Sequence, residues 1–183
     1  LPLLLAATMT TAPVLVHGQT FQDGQDAYIA GDYETAAEIF LPLAEEGDAG
    51  AQSQLGRMYE FGLGVPQDDA EAIKWYRLAA EQGHTWAQFN LGWMYANGRG
   101  VPQDYAEAVK WYRMAAEQGA ALAQIYLGDM FYNGKSVPQN FEKAAKWKRM
   151  AAEQGYALAQ YNLGVMYGKG EGVPQNNTNA YIL

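Results

Sequence analysis

Apolar residues fall at helical spacing along most of the chain. Ala72, Ile73, Trp75, Tyr76, Ala79 and Ala80 follow the i, i+3, i+4, i+7, i+8 pattern that gathers side chains on one helical face. Lys74, Arg77 and Glu81 lie between them as a solvated series of charge neighbours. Upstream, Ala51 to Phe61 carries Leu55, Met58 and Tyr59 on one face with Gly56 among them. This predicts a first helix held close to the second, because glycine removes the side chain that would separate them. Gly62-Leu63-Gly64-Val65-Pro66 joins the two, combining residues that permit positive φ with a proline that blocks helix continuation. Asp68 followed three residues later by Glu71 predicts a capping box at the start of the second helix, and Gly83 a left-handed residue closing it. The unit is therefore a helix, a loop of about six residues and a second helix.

The unit recurs at an offset of 36 residues. Ala51-Gln52 aligns with Ala87-Gln88, Ala123-Gln124 and Ala159-Gln160; Leu55-Gly56 with Leu91-Gly92, Leu127-Gly128 and Leu163-Gly164; Val65-Pro66-Gln67 with the copies beginning at Val101, Val137 and Val173. Trp75, Trp111 and Trp147 recur on the core face and read as structural. A period of this length predicts stacked units instead of one closed core. The full repeats are 51–86, 87–122 and 123–158, with a partial copy over 159–183 and a shorter first unit over 20–47, where Gly31-Asp32-Tyr33 leads into Ala36, Ala37, Phe40 and Ala44. Two departures stand out: Ser136 where other copies have Gly64, Gly100 and Gly172, and Phe131 where they have Tyr59, Tyr95 and Tyr167.

Composition narrows the function. The chain has 183 residues, 49% hydrophobic and 17% charged, enough to bury a substantial core. A formal net charge of -8 opposes binding by phosphate neutralisation, so nucleic acid is not an expected partner. There is no cysteine, and with two histidines and two serines the side chains for nucleophilic or metal-assisted chemistry are scarce. No cofactor is expected, and His84 reads as an exposed turn residue. The first 22 residues carry no Lys, Arg, Asp or Glu and contain Leu1-Pro2-Leu3-Leu4-Leu5-Ala6-Ala7 and a second apolar run. Residues 1–19 thus read as an export-signal remnant or a disordered leader, which predicts a periplasmic or secreted protein with no membrane span in the mature chain.

The repeated pattern A-x-x-x-L-G-x-x-Y-x-x-G-x-G-V-x-x-D, then A-x-x-W-Y-x-x-A-A-x-Q-G, resembles the Sel1-like repeat family, relatives of the tetratricopeptide repeats. The resemblance implies an all-α fold: an α-solenoid in which antiparallel helix pairs stack into a right-handed superhelix. It also implies a non-catalytic adaptor that holds a protein or peptide in a concave groove lined by the first helix of each repeat. By analogy with the tetratricopeptide groove, contact positions lie three residues before, one after and four or five after the glycine equivalent to Gly56. The contacts expected on this basis are Arg57, Trp86, Phe89, Trp93, Asn97, Ile125, Asp129, Tyr132, Asn133 and Tyr161. Trp86, Phe89 and Trp93 share one face and have no aromatic counterpart common to the other long units, which suits them as anchors. Packing between repeats is the competing role for Trp86 and Phe89. Two other functions are open. One is cell-wall binding or hydrolysis, as in cysteine-rich Sel1-like relatives, although this chain lacks the cysteines; the other is self-association through the unfinished last repeat.

Overall fold

The structure, a computed structural model, describes residues 18–176. Among these residues there are nine α-helices and no strand: α1 (Phe21–Ala30), α2 (Tyr33–Glu45), α3 (Ala49–Phe61), α4 (Asp69–Glu81), α5 (Thr85–Asn97), α6 (Tyr105–Glu117), α7 (Ala121–Asn133), α8 (Phe141–Glu153) and α9 (Ala157–Lys169). Each helix packs chiefly on its neighbours in sequence, and α3 also touches α5, as in an α-solenoid of stacked pairs. No described helix is long and apolar enough to cross a membrane. The leader up to residue 17, and residues 177–183, where the sequence repeat places the start of a further second helix, lie outside the described residues.

The alanines of the second helices make the close packing. Ala72, Ala79, Ala80, Ala108, Ala115 and Ala116 are fully buried, and the first-helix glycines receive a large side chain from the second helix. A Cβ on Gly56 would lie 2.6 Å from the Tyr76 ring. Trp75 and Trp111 are buried against the preceding unit's core, and Trp147 is partly covered.

The repeated glutamines join one unit to the next. Gln52, Gln88 and Gln124 each donate from Nε2 to the carbonyl of an alanine in the preceding second helix, Ala44, Ala80 and Ala116, at 3.0, 3.1 and 3.2 Å. Their Oε1 atoms accept from Gln82, Gln118 and Gln154 at 2.8, 2.7 and 3.0 Å. Those same Nε2 groups also donate to the carbonyls of Gly47, Gly83 and Gly119. Gln52, Gln88 and Gln124 are buried, so each amide is satisfied where water is absent. The glutamine of each Val-Pro-Gln fastens the loop to its first helix: Gln67, Gln103, Gln139 and Gln175 donate to the carbonyls of Glu60, Ala96, Tyr132 and Gly168.

The helix ends differ from the sequence expectation in three respects. Asp68 and Asp104 cap their helices by accepting from the next backbone amides, but Glu71 and Glu107 do not complete a box. The amides of Asp68 and Asp104 are already donated to Tyr59 and Tyr95, while Glu71 and Glu107 pair with Lys74 and Lys110. Arg77 is half-buried and reaches the hydroxyl of Tyr95 in the following unit, while its counterpart Arg149 stays exposed as it reaches Tyr167. Phe131 has no hydroxyl, and Arg113 lies over its ring at 5.9 Å. His84 is half-buried and caps α5, its Nδ1 accepting from the Ala87 amide at 3.3 Å.

That cap requires neutral imidazole. Burial pushes the His84 pKa below its ordinary 6.5, opposed in part by the Asp48 carboxylate. A depressed folded-state value means that its contribution is complete above the unfolded pKa and is lost as pH falls through the folded one. His84→Asn keeps an acceptor at the cap without a titrating group. Wild type is expected to lose stability relative to this variant between about pH 7 and pH 5; parallel thermal-unfolding curves across that range would refute the cap's protonation dependence.

Ser136 keeps the loop geometry of its glycine counterparts at φ 53. A non-glycine residue in that region carries about 1–2 kcal/mol of strain. Ser136→Gly is expected to raise stability by about 1 kcal/mol in urea unfolding, and no gain would show that the serine compensates elsewhere.

Candidate protein-binding groove

The first helices α5, α7 and α9, with α6 and α8 behind them, enclose an open cavity of about 600 Å³. Five of the residues expected from the sequence line it: Asn97, Asp129, Tyr132, Asn133 and Tyr161. Sequence reasoning passed over Tyr105, Tyr112, Tyr126, Lys135 and Lys148, which line it too. The signal for all of these but Tyr112 was available as departures within aligned columns, for instance Lys148 where Tyr76 and Tyr112 stand.

The other five expected contacts lie elsewhere. Arg57 is exposed, its guanidinium 5.4 Å over the Tyr28 ring. Trp86 is 49% exposed and leans on Phe89 with ring centroids 5.4 Å apart. Trp93 is half-buried, packed against the cores of two successive units, with Arg99 5.5 Å over its ring. Phe89 and Ile125 are corrected to packing residues. They are 8% and 1% exposed, and Phe89 sits in an aromatic cluster with Tyr112 at 5.9 Å and Tyr126 at 5.7 Å. Their position three residues before the glycine turns toward the next unit in the stack. Tyr161 occupies the same column, yet is 69% exposed because no described residue covers it.

Charge inside the groove is held by unlike residues in each unit. In the first long unit the buried Glu60 accepts from the Tyr76 hydroxyl at 2.8 Å, and Arg99 bridges Glu60 at 3.3 Å and Asp69 at 2.6 Å. In the third, the buried Lys148 donates to Asp129 at 2.5 Å with its ammonium 5.4 Å from the Tyr132 ring. Tyr132 in turn donates to Glu171 at 2.7 Å. Asp129 therefore neutralises a buried cation, while the part of it that stays solvated faces the cavity. Asn97 and Asn133 donate to the carbonyls four residues back, of Trp93 and Asp129 at 2.8 and 2.9 Å, and their side chains remain exposed at the rim.

The sequence profile of the Sel1 repeat matches residues 49–84, 87–119, 121–156 and 157–183. The chain belongs to the Sel1 repeat family. A solved Sel1 repeat protein from Oxalobacter formigenes is 38% identical with a TM-score of 0.83, over 88% of this chain and 66% of that one. A protective antigen present in uropathogenic Escherichia coli strains is also 38% identical, with a TM-score of 0.80, over 87% of this chain and 36% of the antigen. Helicobacter pylori cysteine rich protein B, at 22% identity and a TM-score of 0.53, shares the fold. Among curated proteins, an exopolysaccharide production negative regulator of Rhizobium leguminosarum bv. viciae is 45% identical over 56 residues, 31% of this chain and 21% of the regulator. This Sel1 repeat chain thus aligns with about a fifth of that regulator's length and two thirds of the Oxalobacter structure.

Proposed function

We propose that this Sel1 repeat chain is a non-catalytic scaffold that binds a protein or peptide in the groove formed by α3, α5, α7 and α9. The observation that carries the reading is a division of labour. Residues repeated in every copy serve mainly in the glutamine joints and the core, while most of the residues lining the open cavity differ between copies, Gln103, Met130 and Met166 being the repeated ones there. Proteins of this family serve in general as interaction scaffolds, which supports the same reading. The charge-free leader favours export, and fractionation of cells expressing the tagged chain reads that directly; retention with cytoplasmic markers would overturn it.

The test uses exposed residues, because Trp93 packs between units and Asp129 holds Lys148. Tyr161→Ala with Asn97→Ala and Asn133→Ala is expected to weaken partner capture by about ten-fold or more while leaving the melting temperature nearly unchanged. Undiminished capture would move the binding surface off this face. Turnover of a β-lactam or of peptidoglycan by the purified chain would overturn the scaffold reading itself.

A further inference from the structure

Among the described residues, two buried side-chain polar atoms have no hydrogen-bond partner, Trp75 Nε1 and the Tyr112 hydroxyl. Trp75 lines no cavity described above, and Glu71 stands four residues before it, as Glu107 stands before Trp111 and accepts from its indole at 3.0 Å. A side-chain rotation therefore answers the first case. Tyr112 has no carboxylate four residues before it; it is fully buried at the cavity wall, with the Tyr126 ring stacked on it at 5.5 Å.

The preceding repeat shows what a tyrosine in this position requires. Tyr76, its counterpart, donates to the Glu60 carboxylate, and Arg99 holds that carboxylate and Asp69 together. Asn90 in α5 also stands beside the Tyr76 hydroxyl. One repeat later every partner has changed. Ala96 replaces Glu60, Tyr105 replaces Asp69, Tyr126 replaces Asn90, and Lys135 replaces Arg99. The tyrosine and the cation remain; both carboxylates are gone. Lys135 makes no ion pair among the described residues, and its ammonium rests 4.6 Å over the Tyr105 ring and 3.3 Å from the Tyr105 hydroxyl. Burial raises the Tyr112 pKa far above the usual phenol range, so the hydroxyl keeps its proton. Ala96, Tyr105, Tyr112, Tyr126 and Lys135 all line the same cavity.

We infer that this cavity receives a glutamate side chain of the bound protein or peptide, whose carboxylate takes the place that Glu60 fills one repeat earlier, accepting from Tyr112 and pairing with Lys135. The inference rests on the groove reading above and names the chemistry of the partner. No bond is made or broken; the partner completes, from outside, a buried polar cluster that the first long repeat completes from its own sequence. A charged acceptor is favoured because a hydrogen bond to an ionised group is roughly twice as strong as one between neutral groups, and because leaving a buried donor unpaired is unfavourable.

The test needs no knowledge of the natural partner. Acetylated and amidated Gly-Ser peptides carrying one central Glu or one central Gln, and free glutarate, are titrated into the full chain labelled with fluorotyrosine. The Tyr112 resonance is assigned from Tyr112→Phe. The Glu peptide is expected to shift the Tyr112 resonance and to bind about ten-fold or more tightly than the Gln peptide. Tyr112→Phe should reduce that preference without lowering the melting temperature, since it removes only an unpaired hydroxyl and leaves Lys135 in place. Ala96→Glu should rebuild the Glu60 arrangement, raising the melting temperature and blocking the Glu peptide. Equal affinity for Glu and Gln peptides, or no response to any probe at millimolar concentration, overturns the inference. So does an Ala96→Glu variant that melts lower and still prefers Glu. Glutarate binding as tightly as the Glu peptide overturns it in favour of a small free acid. The capture experiment with Tyr161, Asn97 and Asn133 variants reads the groove independently, so failure of one is distinguishable from failure of the other.

Discussion

Replacing Gly64 by alanine is expected to lower stability by about 3 kcal/mol, measured by urea unfolding. Gly64 has φ +67, and a Cβ there would lie 2.1 Å from the Tyr33 carbonyl oxygen, 2.3 Å from its carbon and 2.7 Å from the Glu34 nitrogen. All three are backbone atoms at the start of α2, so no flexible side chain can yield. About 1–2 kcal/mol comes from the left-handed conformation, and the contact with the helix start adds about 1–3 more. The damage should be local, because each unit of a solenoid touches only its neighbours. Amide exchange is therefore expected to quicken first in α1 and α2, with α5 to α9 less affected. Gly83→Ala is the control: φ is +90, but nothing lies within 4 Å of the added carbon. Equal losses at the two positions would show that the joint between loop and helix contributes nothing.

Glu60→Ala is expected to be comparably harmful, at about 3 kcal/mol. The carboxylate is 6% exposed and serves two groups, the fully buried Tyr76 hydroxyl and the Arg99 guanidinium. Its removal leaves the phenol unpaired and Arg99 with Asp69 alone. Tyr76→Phe should remove much of the added penalty when combined with Glu60→Ala, since the orphaned hydroxyl disappears; a double-mutant cycle measures that coupling. A Glu60→Ala change within about 0.5 kcal/mol of neutral would place the pair among ordinary surface substitutions and remove it as a link between units.

These two sites show unevenly how much could be read before the coordinates. Gly64 was legible: its recurrence beside Val-Pro at each offset marked a loop that needs positive φ, and Ser136 was visible as the exception. The helix pairs were equally plain, because alanine and tryptophan spacing repeats without interruption. The groove was legible only in part. Positions one, four and five after the glycine face outward in α5 and α7, which places Trp93, Asn97, Asp129, Tyr132 and Asn133 on or beside the cavity. The position three before it points into the next unit, so Phe89 and Ile125 are buried. A rule carried from a related repeat did not include that inter-unit contact. Lys148, Tyr112 and Lys135 were missed for another reason. They lie on second helices and loops, and their meaning emerges only when a column is followed from one copy to the next together with the columns it touches. Glu60, four residues after Gly56 and outside the expected contacts, is a buried anchor whose absence at Ala96 matters more than its presence.

The glutamine joints have a consequence for how such a chain changes in length. Each bond runs from a side chain in one copy to atoms occupying the same register in the adjacent copy, so donor and acceptor are supplied by any two copies placed in succession. Duplication or excision of 36 residues recreates an identical seam, whereas an insertion of a single residue inside a helix would misalign every amide at that seam. Recombination can therefore reset the reach of the molecule in whole increments, while the walls of each compartment diversify independently.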